Sequence, residues 1–146
     1  MKPGLKAGQT AEVEIIVSPD MRAAFEDQTA HDLYATYQLV QHMEWVARKT
    51  ILPYLEANEE GMGNHLEVSH LKPALTGMKV KLKATIKEIL NNKVFCEVEA
   101  STSLGKIARG SVTQAIVEKE WLMKKKKEMS LIDHLVQDTT KPSVKA

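Results

Sequence analysis

The sequence has little of what marks a secreted, membrane-spanning or nucleic-acid-binding protein. It has one cysteine in 146 residues, Cys96, so no disulfide can form within the chain. No apolar run approaches the roughly 20 residues of a membrane span. Residues 1–9 lack the apolar segment of a signal peptide. The net charge of +1 at pH 7 gives no case for nucleic acid or a membrane as the main partner. We therefore expect a cytoplasmic protein.

Motifs for metal binding, for phosphate binding and for a serine nucleophile are also missing. The histidines at 31, 42, 65 and 134 have no metal-ligand spacing, and no cysteine accompanies them. The chain has no phosphate-binding glycine loop and no nucleophile elbow. Cys96 alternates with Val94 and Val98, which favours a buried structural thiol over a nucleophile. We therefore expect no metal site.

Hydrophobic periodicity predicts a single α+β domain. Alternation over residues 11–17 indicates a first strand, and residues 33–55 have the pattern of one long helix that Pro53 ends or kinks. Residues 21–32 show no clear period and are typical of a loop or lid, and the polar residues 56–63, with glycines at 61 and 63, are expected to form a second loop. Four strand-like runs follow the helix, and alternation is cleanest over residues 78–87. The single helix is expected to cover one face of a five-stranded antiparallel sheet.

Glu44 interrupts the apolar stripe of the predicted helix. Val40, Glu44, Ala47 and Ile51 stand at helical steps, so this carboxylate is expected in the middle of the apolar face. A buried carboxylate must find partners or shift its pKa upward. The alternative is an acid at the edge of the stripe, because charged side chains are rarely fully buried.

His70 is a second ionisable residue on a surface expected to be buried. It shares strand parity with Leu66 and Val68, on the face that the helix must cover. An acid and an imidazole in one partly buried pocket are typical of tuned proton transfer. Thr36 adds a hydroxyl near the helix N-terminus, although its alternative role is that of a helix cap.

The C-terminal residues have a different character. Leu122, Met123, Met129, Ile132 and Leu135 are compatible with an amphipathic helix, which the lysines at 124–127 are expected to break. Residues 138–146 are expected to form a disordered tail.

These residues carry a resemblance to a known family. Thr36 and Glu44 in YATYQLVQHMEWVARKTILPYLE, and Gly63 and His70 in GMGNHLEVSHLKPALTGMKVKLKATI, are similar to the fluoroacetyl-CoA thioesterase family of hotdog-fold enzymes. The opening MKPGLKAGQTAEVEIIVSPDM is also similar, and the likeness covers roughly residues 1–125. The resemblance implies a long central helix wrapped by an antiparallel sheet, with residues 1–129 as the hotdog thioesterase domain and residues 130–146 as a flexible extension.

The same resemblance implies the chemistry. It implies hydrolysis of an acyl-CoA thioester by Thr36, Glu44 and His70, with Gly63 contacting the substrate through its backbone. Coenzyme A is then part of the substrate, and no cofactor is expected. The family also implies a homodimer with active sites near its interface. The alternatives are a non-catalytic acyl-CoA-binding or ligand-sensing hotdog protein, and a hydratase, whose helical Asp and His pair is absent here.

Two positions depart from the family pattern. Ungapped counting places Ala30 where the namesake enzyme has a lid phenylalanine. Gln114, which we expect to bind substrate, stands where that enzyme has an arginine in its last strand. These departures predict that fluoroacetyl-CoA is not the preferred substrate.

Overall fold

The computed structural model describes residues 1–140, which form one long helix packed on a five-stranded antiparallel sheet, a small hairpin and a C-terminal helix. The strands are β1 (Thr10–Ile16), β2 (Arg22–Phe25), β3 (Gln28–Tyr34), β4 (Glu59–His70), β5 (Lys79–Leu90), β6 (Lys93–Thr102) and β7 (Gly105–Glu118). The helices are α1 (Thr36–Ile51) and α2 (Lys119–Thr140), and short 3-10 turns cover Pro19–Met21 and Leu52–Tyr54. The strand order in the sheet is β1-β5-β6-β7-β4, and β2 pairs with β3 alone.

The core lies between α1 and the inner face of the sheet, which confirms the predicted α+β architecture. Alternate residues of β5 and β6 point into it because side chains alternate along a strand. The core members from these three elements are Leu39, Met43, Val46, Ala47 and Ile51 of α1, Val80, Leu82, Ala84 and Ile86 of β5, and Val94, Cys96, Val98 and Ala100 of β6. The Cys96 thiol is 2% exposed, as predicted, and lies 3.6 Å from Thr50 Oγ1.

The ends of α1 differ by a few residues from the prediction. The helix begins at Thr36, after an extended Ala35 that makes no side-chain cap. Its α-helical part ends at Ile51, and the chain continues as the 3-10 turn that contains Pro53. Proline clashes with the preceding helical turn and supplies no N–H, which explains this end.

Two segments expected to be loops are strands. Residues 21–32 form most of the β2–β3 hairpin, whose register shifts twice, so its sequence shows no regular alternation. Strand β4 begins at Glu59, inside the segment predicted as a polar loop, because residues 59–63 pair with the end of β7. Backbone pairing with an established strand overrides a weak local pattern there.

The predicted break at the lysine run is wrong. α2 is continuous through residues 124–127 because lysine is a good helix former and its charges remain in solvent. The predicted domain limit at residue 129 falls inside this helix, and the limit itself stays a prediction. The predicted disordered tail is helical as far as Thr140, and its residues 141–146 lie outside the described part of the chain.

No helix in the described residues has the length and apolar character needed to cross a membrane.

Candidate active site

The start of α1 and the end of β4 bring Thr36 and His70 together. Thr36 Oγ1 lies 2.9 Å from His70 Nδ1, which is hydrogen-bond distance. Thr36 is the first residue of α1 and not its N-cap, so its hydroxyl is engaged by the histidine and not by the helix. The helix and strand that the sequence predicted to pack face to face do meet through these two polar side chains.

Glu44 and Gly63 form a second contact between the same two elements. A Cβ atom at Gly63 would overlap Glu44 Oε1 and lie 2.9 Å from Glu44 Cδ. Only glycine therefore lets β4 pass so closely beneath this carboxylate. The pair lines a cavity of about 260 Å³ together with Val40, Leu66 and Val112.

The expectation that Glu44 is buried in the apolar stripe is wrong for the single chain. Its side chain is exposed. The buried face of α1 is centred on the side of Val40 that points away from Glu44. Glu44 therefore lies at the edge of the apolar stripe, next to the edge strand β4. The alternative reading, an acid at the stripe edge, is the one that the structure confirms.

The two contacts lie at different levels of the helix. Thr36 and Glu44 are eight residues apart, which is about 12 Å along an α-helix axis. Thr36 and His70 line a separate cavity of about 210 Å³ with His31, Tyr34 and Lys72. A single chain thus arranges the three polar side chains along one cleft between α1 and β4, with the acid and imidazole in neighbouring cavities.

A buried pair of side chains, Tyr34 and His42, lies next to His70, and the sequence analysis did not predict it. The Tyr34 hydroxyl lies 2.5 Å from His42 Nδ1, and the two rings stack with centroids 5.8 Å apart. Tyr34 also presents its ring to His70, with centroids 6.2 Å apart. His42 is 8% exposed, and burial lowers its pKa. His42 lies about one helical turn after the core residue Leu39, and this spacing in the sequence could have predicted that His42 is buried.

The surroundings of His70 favour its neutral form. Burial is the main cause that lowers the pKa of this imidazole, and the neighbouring His31 lowers it further, while the backbone of Lys72 works in the opposite direction. His70 Nε2 is buried and has no hydrogen-bond partner among residues 1–140. A neutral imidazole with one nitrogen held by Thr36 has its other nitrogen left for chemistry.

Gln114 faces the interior, on the same side of β7 as the buried residues Val112 and Ile116. It is 1% exposed, and neither atom of its amide has a hydrogen-bond partner within the described chain. It pairs with Gly63 across β4 and β7. Unpaired buried amide groups are rare because each one costs about 1–3 kcal/mol.

Arg48 lies close to this amide. Its guanidinium donates hydrogen bonds to the Gly61 carbonyl at 2.9 Å and to Glu60 Oε1 at 2.7 Å. A Cβ atom at Gly61 would lie 3.5 Å from the Arg48 Nη1 atom and 3.6 Å from Gln114 Oε1. The neutral Gln114 amide and the Arg48 cation therefore both lie next to Gly61 of β4.

The β2–β3 hairpin lies at the start of α1. Ala30 is an exposed residue of β3 and presents only a methyl group there. Phe25, at the end of β2, is 62% exposed and packs edge-on against Tyr37, with ring centroids 5.5 Å apart. The Tyr37 hydroxyl in turn donates to the Arg22 carbonyl at 3.0 Å, which anchors the hairpin to α1.

The described part of the chain contains no group of three or more His, Cys, Asp or Glu side chains that could hold a metal ion. The chemistry available at the cleft is that of a carboxylate, an imidazole, a hydroxyl and backbone N–H groups.

Known proteins share this architecture. The fluoroacetyl-CoA-specific thioesterase family model matches residues 17–120. A fluoroacetyl-CoA thioesterase from Streptantibioticus cattleyicolor is 24% identical over 126 residues, which cover 82% of this chain and 91% of the relative.

Two solved structures extend the comparison. A Thermus thermophilus protein described as a thioesterase superfamily member is 39% identical, with a TM-score of 0.82 over 89% of this chain and 98% of its own. A hot-dog-like protein from Thermanaerovibrio acidaminovorans has a TM-score of 0.78 at 21% identity, over 88% of this chain and 93% of its own, which shows the fold alone. The chain therefore has the hotdog fold and belongs to the fluoroacetyl-CoA-specific thioesterase family of thioester hydrolases.

Proposed function

We propose that this protein is an acyl-CoA thioesterase that hydrolyses its substrate to a carboxylate and free coenzyme A at the cleft between α1 and β4. The observation that carries the proposal is the hydrogen bond between Thr36 Oγ1 and His70 Nδ1, formed in the same cleft that holds Glu44 against Gly63. Family membership supports the reaction class, and this geometry supports the choice of these residues. Coenzyme A is part of the substrate, so the reaction needs no cofactor, and a cytoplasmic location stays a prediction.

The reaction replaces the carbon–sulfur bond of the thioester with a carbon–oxygen bond. Water supplies the oxygen, and its proton goes to the leaving thiolate. Glu44 provides the carboxylate, either as a nucleophile that forms a transient anhydride or as the base that activates water. Single turnover in ¹⁸O-labelled water identifies an anhydride that water opens at the Glu44 carbonyl, because only then does the label enter the Glu44 carboxylate and not the product.

His70 and Thr36 act as a unit. The neutral His70 ring, held through Nδ1 by Thr36, polarises the thioester carbonyl or handles the water proton from its other nitrogen. The backbone N–H of Gly63 and the N–H groups at the start of α1 are the candidates for stabilising the developing oxyanion. Gln114 is assigned to substrate binding because a polar group of the substrate would satisfy its buried amide.

The position of the site beside a sheet edge also favours a dimer of this chain. Strand β4 is a 12-residue edge strand, and it carries both Gly63 and His70. Thr36 and Glu44 are exposed beside that edge. Long unpaired edges tend to be paired or covered, and a symmetric dimer joined at β4 would cover the cleft and limit its access to water. We therefore propose that the active form is a homodimer.

Replacing Glu44 with Gln tests the central assignment. Glu44→Gln keeps the size and polarity of the side chain but removes its basicity, so thioester hydrolysis should fall by about a hundredfold or more. Coenzyme A release from a panel of acyl-CoAs measures this. The matched control is Glu88→Gln, an exposed carboxylate on β5, which should retain activity. Near-normal turnover in a folded Glu44→Gln protein would refute the assignment.

The pH profile and a histidine variant test His70. Since the pKa of His70 lies below its ordinary 6.5, kcat should fall only as the pH drops below that value, when the ring gains a proton. His70→Ala should lower kcat more than it raises KM, because the role of the ring lies in the transition state. His134→Ala, on α2, is the control and should change neither constant. A rise in KM alone would make His70 a binding residue.

Light scattering tests the dimer. We expect a mass of at least twice 16.3 kDa at micromolar concentration. Met62→Asp, at an exposed apolar position of the β4 edge, should lower that mass because it places a charge in the proposed interface. Ile16→Asp, on the opposite edge strand β1, should not, although Ile16 is also exposed apolar surface. A mass near 16.3 kDa for the unmodified chain would contradict the proposal.

The acyl preference follows from Ala30 and Gln114. Selection of a small polar acyl group requires a tight pocket that excludes water, and Ala30 and the uncharged Gln114 do not provide a bulky lid or a charge. We expect higher kcat/KM for a larger or more apolar acyl group than for fluoroacetyl-CoA. The measurement compares fluoroacetyl-, acetyl-, butyryl-, hexanoyl- and benzoyl-CoA. A preference of about a hundredfold for fluoroacetyl-CoA over all the others would show that these two positions do not set specificity.

A further inference from the structure

The C-terminal helix α2 is the largest feature that the proposed activity leaves without a role. It comprises 22 residues and is about 33 Å long at the usual helical rise. It begins next to the end of β7, where the Lys119 N–H donates to the Asn58 carbonyl at 2.8 Å. The family match ends at residue 120, so almost the whole helix lies beyond the part of the chain that defines the thioesterase family.

One side of α2 is apolar and open to solvent. Met129, Ile132 and Leu135 are 67%, 59% and 56% exposed. Leu122 and Met129 are seven residues apart, and Ile132 follows Met129 by three, which is the a and d spacing of a coiled coil. Three or more large apolar side chains on one stripe of a surface helix mark an interaction site more often than a solvated face.

The charges of α2 differ between its two halves. The first half carries five lysines, at 119 and 124–127, and two glutamates, at 120 and 128, so its net charge is +3, while Asp133 and Asp138 give the second half a charge of −2. Two copies of the helix placed antiparallel bring each basic half beside an acidic half. The same two helices placed parallel bring lysines beside lysines, which is repulsive.

The heptad positions favour the same arrangement. With Leu122 and Met129 at a positions, Lys125 and Ile132 stand at d positions. A parallel pair would put Lys125 directly against its own counterpart inside the seam. An antiparallel pair instead matches a with d, so Met129 meets Ile132 and Lys125 meets Val136. In that pair Lys126 also lies next to Asp133 of the other helix, twice by symmetry.

We propose that α2 is a homotypic docking helix that pairs antiparallel with α2 of a second copy of this chain. The apolar stripe of one chain thus packs against the same stripe of the second chain. The different charges of the two helix halves set the antiparallel orientation. The pairing is independent of the catalytic cleft, since none of its residues lines either of the two cavities there.

Disulfide trapping tests both the partner and the orientation. The variants are Lys125→Cys and Val136→Cys in the full-length chain, whose own Cys96 is buried. Mild oxidation of an equilibrated mixture should produce a covalent dimer that contains one chain of each variant. Each variant alone should form much less, because equal positions lie about 16 Å apart along an antiparallel pair.

Two controls set the baseline. Ser103→Cys, in the exposed turn between β6 and β7, gives the level of cross-linking from random collision. Adding Met129→Glu and Ile132→Glu to the trapping variants should reduce cross-linking to that level, because two charges would then enter the seam. Coenzyme A release should be unchanged by these glutamates, which separates this test from that of the proposed activity.

Three results would overturn the proposal. Efficient cross-linking of Lys125→Cys with itself would show a parallel pair. Cross-linking of the mixture at the collision level would show that α2 does not pair with a second copy. Sedimentation of the full-length chain with anionic phospholipid vesicles, lost in the double glutamate variant and accompanied by no cross-link, would assign the stripe and its lysines to a lipid surface.

Discussion

The packing of α1 on the inner face of the sheet is the contact on which the rest of the structure depends. The side chains of Leu39, Met43 and Val46 on α1 are almost fully buried. Within the described chain, the strands of the five-stranded sheet cover them. This burial is the main favourable term in the fold. Because α1 crosses close to β4, the same packing also brings Thr36 to His70 and Glu44 to Gly63.

The candidate site lies where that packing ends. At the edge of a helix stripe a polar side chain can be near apolar core and still reach water, so Glu44 remains exposed while it touches the backbone of β4. The histidine at the other end of the cleft is more buried, and its environment disfavours a positive charge. One strand–helix pair thus offers an exposed carboxylate and a neutral imidazole.

Behind the cleft are polar groups that the fold accepts at a cost. The Tyr34–His42 pair is satisfied internally, since the phenol hydroxyl and the ring nitrogen bond to each other. Gln114 is not satisfied within the described chain, although a cation, Arg48, is close. An unpaired buried amide is rare in proteins, and this one is the observation on which the proposed substrate-binding role of Gln114 rests. The exposed apolar stripe of α2 resembles Gln114 in one respect, because it too has no packing partner within the described part of a single chain.

Sequence by itself determined the main elements and the family, and it predicted the candidate site residues. Period-2 alternation in β5 and β6 and the helical period of α1 reflect side-chain burial directly, so they predicted the α+β sheet and its single covering helix. The motif around Thr36, Gly63 and His70 identified the family. Tertiary structure alone decided the rest. Glu44 was expected in the core but lies at its edge, because the position of the buried arc depends on how the helix rests on the sheet. His42 occupies a core position instead, since a partner close in sequence, Tyr34, happens to reach its ring. The extent of β4, the hairpin before α1 and the unbroken α2 likewise depend on backbone pairing and solvation, which local patterns do not encode.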